Sequence, residues 1–283
     1  MTTVQFTKMH GLGNDFIIID QTTQTLPINE SLVQYLSNRK TGIGCDQLLM
    51  IKHIDNADNT YNYTVFNSDG SAAEHCGNGA RCVVKYIIEK YNLANKKITL
   101  LTNTRKITGS INQLTGLVNI SMGAPMFAPT EIPFTQKENT INSYELDLEH
   151  TKIICGVVSM GNPHVIIKLF SENELDDTKS LTDIAKAIQS SRYFPNGVNV
   201  NFYIKLDSNN IKLVTFERGC GFTLACGTGA CATVAYGVSQ NELKDPVNVT
   251  MLGGKLSIRW DQKHELEMIG TATTVFEGSF NIA

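Results

Sequence analysis

The segments FNSDGSAAEHCGNGARCVVKY (residues 66–86) and FERGCGFTLACGTGACATVAY (residues 216–236) align at a constant offset of 150 residues. Seven of the 21 aligned pairs are identical, and four of these seven fall within a single Cys-Gly-X-Gly-Ala block. A second pair, GNDFIII (13–19) and GNPHVII (161–167), repeats at an offset of 148. The chain of 283 residues therefore reads as one structural unit that has been duplicated.

The apolar pattern after the first block predicts a buried helix, because Ala80, Val83, Val84, Ile87 and Ile88 have helical spacing. The segment after the second block repeats the pattern more weakly. Two more helices are expected near 31–38 and 182–191, and short strand-like runs fill most of the remaining chain.

This pattern predicts an α+β fold of two pseudo-symmetric domains. Each domain is expected to be a curled, mostly antiparallel sheet or barrel around a central helix. We expect an N-terminal domain of residues 1–120 plus 271–283 and a C-terminal domain of residues 121–270.

Composition excludes several classes of protein. A hydrophobic content of 42%, a charged content of 18% and a net charge of -3 indicate a globular protein without the basic surface of a nucleic-acid binder. No apolar run approaches the roughly 18 residues of a membrane helix, and the N-terminal residues lack the pattern of a signal peptide. An odd number of cysteines, seven, favours free thiols and a cytoplasmic location.

Cys76 and Cys226 each directly precede a glycine-rich helix start, and their positions match in the duplication. The N–H groups at a helix N-terminus bind anions such as carboxylates and favour a thiolate over a thiol. Two such cysteines on opposite faces of one Cα predict stereoinversion by two bases, without a pyridoxal cofactor and without a metal. The pair should titrate as a coupled system.

The other five cysteines fit a packing role, since free cysteine is among the most buried residue types. They are Cys45, Cys82, Cys155, Cys220 and Cys231. Thiol redox chemistry remains an alternative, although the chain has no Cys-X-X-Cys segment. A metal site is a further alternative, although its ligands would need closer spacing than the 76/82 and 226/231 pairs supply.

Six segments resemble, in order along residues 8–232, the signature motifs of the diaminopimelate epimerase family. They are MHGLGNDFIIID, GIGCDQLLMI, FNSDGSAAEHCGNGARC, MGNPHV, FPNGVNVNF and FERGCGFTLACGTGACA. The resemblance implies a cofactor-independent epimerase that interconverts LL- and meso-2,6-diaminoheptanedioate in lysine and peptidoglycan precursor synthesis. It also implies a diamino dicarboxylic acid as the substrate and a homodimer as the assembly.

The resemblance also implies roles for individual residues. Cys76 and Cys226 match the proton donor and acceptor, and His164 and Glu217 match residues that help set their protonation. The positions that match substrate-binding residues are Asn14, Gln47, Asn67, Gly77, Asn78, Asn162, Asn199, Glu217, Arg218, Gly227 and Thr228. Without the resemblance, the asparagines alone would be interpreted as turn formers.

One position departs from the family pattern. Many relatives have a glutamate before the second cysteine where this chain has Phe222, and a phenyl ring accepts no hydrogen bond. A proline or hydroxyproline racemase is a neighbouring alternative. The asparagine set and Arg218, which can bind a carboxylate bidentately, favour a longer substrate with a distal carboxylate.

Overall fold

The computed structural model describes residues 2–73, 76–137, 142–148 and 151–282. The chain divides into two compact units, Met1–Ser121 with Ile269–Ala283, and Met122–Met268. These boundaries lie within two residues of those that we expected from the sequence. The predicted duplicated α+β architecture is confirmed, because the same order of strand pairings occurs in both units.

The N-terminal unit contains nine strands and two helices among its described residues. The strands are β1 (Thr2–Gly11), β2 (Asn14–Asp20), β3 (Gln47–His53), β4 (Thr60–Asn67), β5 (Ala72–Ala73), β6 (Ile98–Leu101), β7 (Lys106–Ile111), β8 (Val118–Gly123, which ends beyond the unit boundary) and β18 (Thr273–Ile282). The helices are α1 (Glu30–Ser37) and α2 (Gly77–Lys90). Pairing follows the order β18-β1-β2-β3-β4-β6-β7-β8, with parallel β2–β3 and β4–β6 pairs and antiparallel pairs elsewhere.

The C-terminal unit repeats this arrangement. Its strands are β9 (Ser143–Leu148), β10 (Thr151–Ser159), β11 (Pro163–Leu169), β12 (Asn199–Lys205), β13 (Asn210–Glu217), β14 (Gly221–Phe222), β15 (Val247–Met251), β16 (Gly254–Arg259) and β17 (Leu266–Gly270). Its helices are α3 (Glu172–Asp176), α4 (Thr178–Gln189) and α5 (Gly227–Ser239), and a 3-10 turn spans Pro129–Glu131. The β11–β12 and β13–β15 pairs are parallel, as are their counterparts in the first unit.

Each unit has its sheet curled around one central helix. Helix α2 contacts β1, β2, β3, β6 and β7, and α5 contacts β10, β11, β12 and β16. The apolar stripe predicted for α2 is fully buried, and even Arg81 on this helix has no exposed surface. A helix enclosed on all sides by strands holds its N-terminus in one fixed place, which is where each Cys-Gly-X-Gly block lies.

Some elements were not recognised in the sequence. Strands β1, β9 and β15 were missed because their segments lack a continuous apolar run, although β9 and β15 alternate polar and apolar residues with the period of a strand. The two additional helices predicted near 31–38 and 182–191 are confirmed as α1 and α4. Among the described residues, no helix is both long and apolar enough to span a membrane.

Candidate active site

Cys76 is the N-cap residue of α2, as the sequence predicted. Its Sγ accepts a hydrogen bond from the Gly79 N–H (3.4 Å), and its thiol points to Asn14 Oδ1 (3.7 Å). The Asn78 amide donates to the same Asn14 oxygen (3.4 Å). Three predicted site residues from two distant segments therefore meet at one helix end. Glu74 and His75, which precede this cysteine, lie outside the described residues.

A charged network contacts the Nδ2 side of Asn14, opposite the oxygen that faces Cys76. The Asn14 Nδ2 group donates to Asp46 Oδ2 (2.9 Å), and Arg39 donates to Asp46 Oδ1 (2.7 Å). Arg39 also binds Asp15 with both terminal nitrogens, and Lys8 binds the same carboxylate at 2.6 Å. Although burial opposes ionisation, these cations hold the pKa of Asp15 well below its usual value. Asp15 is therefore ionised, and the network connects Asn14 through Asp46 to Arg39.

Gln47 and Asn67 form a second polar pair in the N-terminal unit. They are opposite each other on β3 and β4, and Gln47 Nε2 donates to Asn67 Oδ1 (2.9 Å). Asn67 in turn donates to Ser71 Oγ (3.0 Å). The Gln47 Oε1 atom is buried without a hydrogen-bond partner among the described residues. A buried acceptor without a partner is costly, so this atom is a candidate ligand contact.

Cys226 has the equivalent place at the N-cap of α5. Its Sγ accepts from the Gly229 N–H (3.4 Å) and lies 3.5 Å from Thr228 Oγ1. The thiol also hydrogen-bonds to the Glu217 carboxylate, which accepts a second bond from Thr223 Oγ1 (2.6 Å). Cys226 is thus surrounded by hydrogen-bonding groups while it remains buried.

The lowered pKa expected for Cys226 from its position at a helix N-terminus is wrong. Helix-end N–H groups were expected to lower its pKa, and the Gly229 N–H does act in that direction. Burial and the negative charge of Glu217 outweigh it and raise the pKa of Cys226 well above its usual value. Burial likewise raises the pKa of Glu217. Cys226 is therefore a thiol at neutral pH in this structure.

His164 belongs to a buried polar chain beneath the α5 N-terminus. Its Nε2 lies 3.1 Å from Asn162 Oδ1, and its Nδ1 lies 3.2 Å from Asn201 Nδ2. Asn201 also accepts from Thr215 Oγ1 (3.0 Å) and donates to the Val165 carbonyl (2.9 Å). The structure therefore places His164 as a support for Asn162, whose Nδ2 points to Thr228 Oγ1 at 3.4 Å.

Asn199 and Arg218 lie at the same edge of the C-terminal sheet. Asn199 begins β12, and its Oδ1 accepts from the Arg218 backbone N–H (2.9 Å). The Arg218 guanidinium donates to the Asn196 carbonyl (2.6 Å). The acceptor in this contact is a neutral carbonyl and not a carboxylate, so the contact does not neutralise the positive charge of Arg218. An anion site requires such a charge.

Gly79 and Gly229, the second glycine of each block, are required for packing. A Cβ at Gly79 would lie 2.7 Å from the Tyr63 hydroxyl and 3.0 Å from Leu49. A Cβ at Gly229 would collide with Asn201 and would lie 2.9 Å from Thr215 Oγ1. The glycines thus bring each helix end close to its sheet. The first glycines, Gly77 and Gly227, begin the two helices and are buried.

All seven cysteines lie within the described residues and are free thiols. Burial is confirmed for Cys45, Cys82, Cys155 and Cys231, and desolvation raises the pKa of both Cys82 and Cys155 to about 12. The packing role expected for Cys220 is wrong, because this side chain is exposed. It lies in the turn between β13 and β14, where no core is available to cover it.

Phe222, the departure from the family pattern, packs edge-to-face on Phe216 with ring centroids 5.1 Å apart. Apolar packing thus holds β14 at this position. The phenyl ring makes no hydrogen bond, but the next residue, Thr223, donates one to Glu217.

Sequence reasoning missed two supporting residues, Asp46 and Asn201. Asn201 follows Asn199 by two positions on β12, so the strand period of two places both side chains on one face. That period was a usable signal. Asp46 offered none, because its partner Asn14 lies 32 residues earlier in the chain.

No group of three or more histidine, cysteine or acidic side chains is placed to bind a metal within the described ranges.

Comparison with known proteins agrees with this geometry. The family model described as diaminopimelate epimerase matches residues 6–128 and 156–275. A diaminopimelate epimerase from Psychrobacter sp. (strain PRwf-1) is 42% identical, with 98% of this chain and 94% of the relative covered.

Solved structures share the fold at low identity. A probable proline racemase from Agrobacterium radiobacter K84 superimposes with a TM-score of 0.69 at 15% identity, covering 99% of this chain and 93% of the other. A PhzF-family phenazine biosynthesis protein from Bacillus anthracis gives a TM-score of 0.66 at 17% identity, with both chains fully covered.

Proposed function

The chain belongs to the diaminopimelate epimerase family, and on that premise we propose that it interconverts LL- and meso-2,6-diaminoheptanedioate by two-base proton transfer. The observation that carries the proposal is the matched pair of cysteines. Each one caps a glycine-rich helix start, and each Sγ accepts one N–H of that helix. In this role the enzyme would serve lysine and peptidoglycan precursor synthesis.

The proposed reaction moves two protons. One cysteine, as a thiolate, removes the proton from Cα, and the thiol of the other delivers a proton to the opposite face. The electron pair of the broken C–H bond forms the new one, so the cysteines exchange roles and no electrons leave the substrate. N–H groups at the helix ends Gly77-Asn78 and Gly227-Thr228 would bind the reacting carboxylate and stabilise the developing negative charge.

The raised pKa of Cys226 supports one starting form of the free enzyme. Because burial and Glu217 raise its pKa, Cys226 begins as the proton donor. In the proposed reaction, Cys76 would then act as the base for the stereoisomer whose Cα–H faces it. The reverse reaction starts from the opposite protonation of the pair, as coupled groups allow.

Substrate recognition fits a long molecule with charges at both ends. The partnerless Gln47 Oε1 can accept from an ammonium group, whereas the Arg218 guanidinium can bind a distal carboxylate. Asn67 and Asn199 lie beside these two residues and would add neutral hydrogen bonds. A compact ring such as proline offers no second carboxylate for Arg218.

We further propose a cytoplasmic homodimer. Free thiols throughout the chain suit a reducing compartment. Strand β18 leaves Val275 and Phe276 about half exposed, and such apolar side chains on a sheet suit a subunit contact. Sedimentation equilibrium at micromolar concentration should give twice the mass of 31.2 kDa, and a monomer mass would contradict the dimer.

The cysteine variants test the function. Cys76→Ala and Cys226→Ala should each lower kcat for epimerisation by at least about 1,000-fold, because general acid–base groups contribute factors of this size. Cys155→Ala, which removes a buried thiol near Tyr236 in the C-terminal half of α5, should keep activity near wild type. Turnover retained by either active-site variant would contradict the proposal, and proline racemisation by the wild type would favour the alternative.

A further inference from the structure

Asn14 and Asn162 occupy equivalent places in the two units. Asn14 begins β2 and contacts Asn78, the second residue of α2. Asn162 directly precedes β11 and contacts Thr228, the second residue of α5. Each asparagine is therefore adjacent to the helix end that carries a candidate catalytic cysteine.

The two side-chain amides are turned in opposite directions. Asn14 presents its oxygen to the helix end, toward Cys76 and Asn78, while its Nδ2 points away to Asp46. Asn162 presents its Nδ2 to the helix end, toward Thr228, while its oxygen points away to His164. Thus one asparagine offers an acceptor and the other offers a donor.

The orientation of Asn14 follows from a carboxylate. An ionised carboxylate accepts hydrogen bonds and cannot donate. Asp46 Oδ1 is occupied by Arg39, and Oδ2 accepts from both the Asn14 amide and the Asp15 backbone N–H (3.1 Å). If the Asn14 amide turned over, its oxygen would face Asp46 Oδ2, and the two acceptors would repel each other.

The orientation of Asn162 follows from a buried chain of donors. The Val165 carbonyl can only accept a hydrogen bond, so the Asn201 atom that contacts it is the Nδ2 donor. The same Nδ2 group faces His164 Nδ1, which therefore accepts. His164 must then carry its proton on Nε2, which donates to Asn162 Oδ1. Both His164 and Asn201 have no exposed surface, so solvent cannot supply an alternative partner.

We propose that Asp46 and Asn201 are positioning residues that give these equivalent asparagines opposite hydrogen-bonding roles. Asn14 then accepts from an ammonium group of the ligand, and Asn162 donates to a carboxylate. This division of roles rests on the proposed function, in which the ligand carries both groups. It gives the two equivalent helix ends different hydrogen-bonding chemistry, in addition to the difference that Glu217 makes at Cys226.

A double-mutant cycle tests the kinetic part. Asp46→Ala should lower kcat/KM by about tenfold, chiefly through KM, because one oriented hydrogen bond is lost. In an Asn14→Ala background the same change should cost less than about twofold, since Asp46 acts through Asn14. Arg39→Gln is the matched control, because it loosens the ion pairs but leaves Asp46 Oδ2 in place for Asn14. It should stay within about threefold of wild type.

A second readout does not depend on the substrate. In ¹⁵N-labelled protein, the Asn14 side-chain amide, assigned by its loss in Asn14→Ala, should exchange slowly with water. It should exchange at least tenfold faster in Asp46→Ala and remain slow in Arg39→Gln. Asn201→Leu should produce the same acceleration for Asn162, and Leu is the residue at the equivalent position, 49, of the first unit.

The outcomes separate the two proposals. If the wild type fails to epimerise the diamino acid but the amide signals respond as expected, the proposed function fails and the positioning roles stand. If the wild type is active, and Asp46→Ala costs as much without Asn14 as with it, or the Asn14 amide is unaffected, the positioning role of Asp46 is overturned. An unchanged Asn162 amide in Asn201→Leu overturns the role of Asn201.

Discussion

At the scale of single residues, the protonation of a cysteine depends on which groups its fold brings close. Cys226 and Glu217 lie nine residues apart in the chain, yet they share a hydrogen bond in the folded unit. The carboxylate raises the pKa of the thiol, so removal of its charge should lower that pKa.

Glu217→Gln should therefore make the Cys226 thiolate form at lower pH. Thiolate absorbance at 240 nm is titrated with pH in Glu217→Gln and in the wild type. Subtracting the titration of the same two proteins with Cys226→Ala added isolates the signal of the Cys226 thiolate. We expect the midpoint to shift downward, although burial still keeps it above the usual cysteine value. An unchanged midpoint, or an upward shift, would contradict the role assigned to the Glu217 charge.

At the scale of elements, each central helix approaches its sheet at a glycine. Tyr63 is buried beneath α2, and its hydroxyl donates to the Cys76 carbonyl (3.3 Å). Because a Cβ at Gly79 would meet this hydroxyl, Gly79→Ala should destabilise the protein by about 1–3 kcal/mol through overpacking.

Removal of the hydroxyl should relieve part of that cost. Tyr63→Phe alone should cost about 1 kcal/mol for the lost hydrogen bond. In the Tyr63→Phe background, Gly79→Ala should then cost clearly less than it does in the wild type. Urea unfolding of the four proteins measures the coupling, and strictly additive free energies would show that Tyr63 is not the obstacle.

The same scale shows what the sequence could predict. The helix stripe of α2, the paired Cys-Gly-X-Gly blocks and the strand period were legible because each is a local pattern. The same period of two is present in β9 and β15, but these segments are short and contain no continuous apolar run, so they were not recognised. The support of Asn14 by Asp46 and the raised pKa of Cys226 depend on contacts between separate segments. Cys220 was expected to pack in the core from its residue type alone, but its position in a turn leaves it exposed.

At the scale of the whole molecule, each unit contains a buried thiol whose pKa is raised well above that of an exposed cysteine. The pKa of Cys82 on α2 and that of Cys155 on β10 are both raised to about 12, against a usual value of 9.0. The folded chain thus retains these protons at pH values where the unfolded chain has lost them. Their contribution to stability is complete below pH 9 and is lost as the pH rises toward 12.

The free energy of unfolding should therefore fall between pH 9 and pH 11, by up to about 1.4 kcal/mol per pH unit for each thiol. A Cys82→Ala/Cys155→Ala variant will be less stable at neutral pH, but its stability should fall less steeply over this interval. Urea unfolding at several pH values compares the slopes. Equal slopes in the two proteins would show that these two buried thiols do not cause the loss of stability at high pH.

The central claim is that two cysteines share one inversion, and proton transfer in D2O tests it most directly. Early in a reaction that starts from the LL isomer, mass spectrometry should find one deuteron at the inverted Cα of the meso product. The remaining LL substrate should be unlabelled, because the thiol that donates has exchanged with solvent and the base that accepts lies on the other face. Deuterium that enters substrate and product equally, or product that keeps its original proton, would contradict a two-base mechanism.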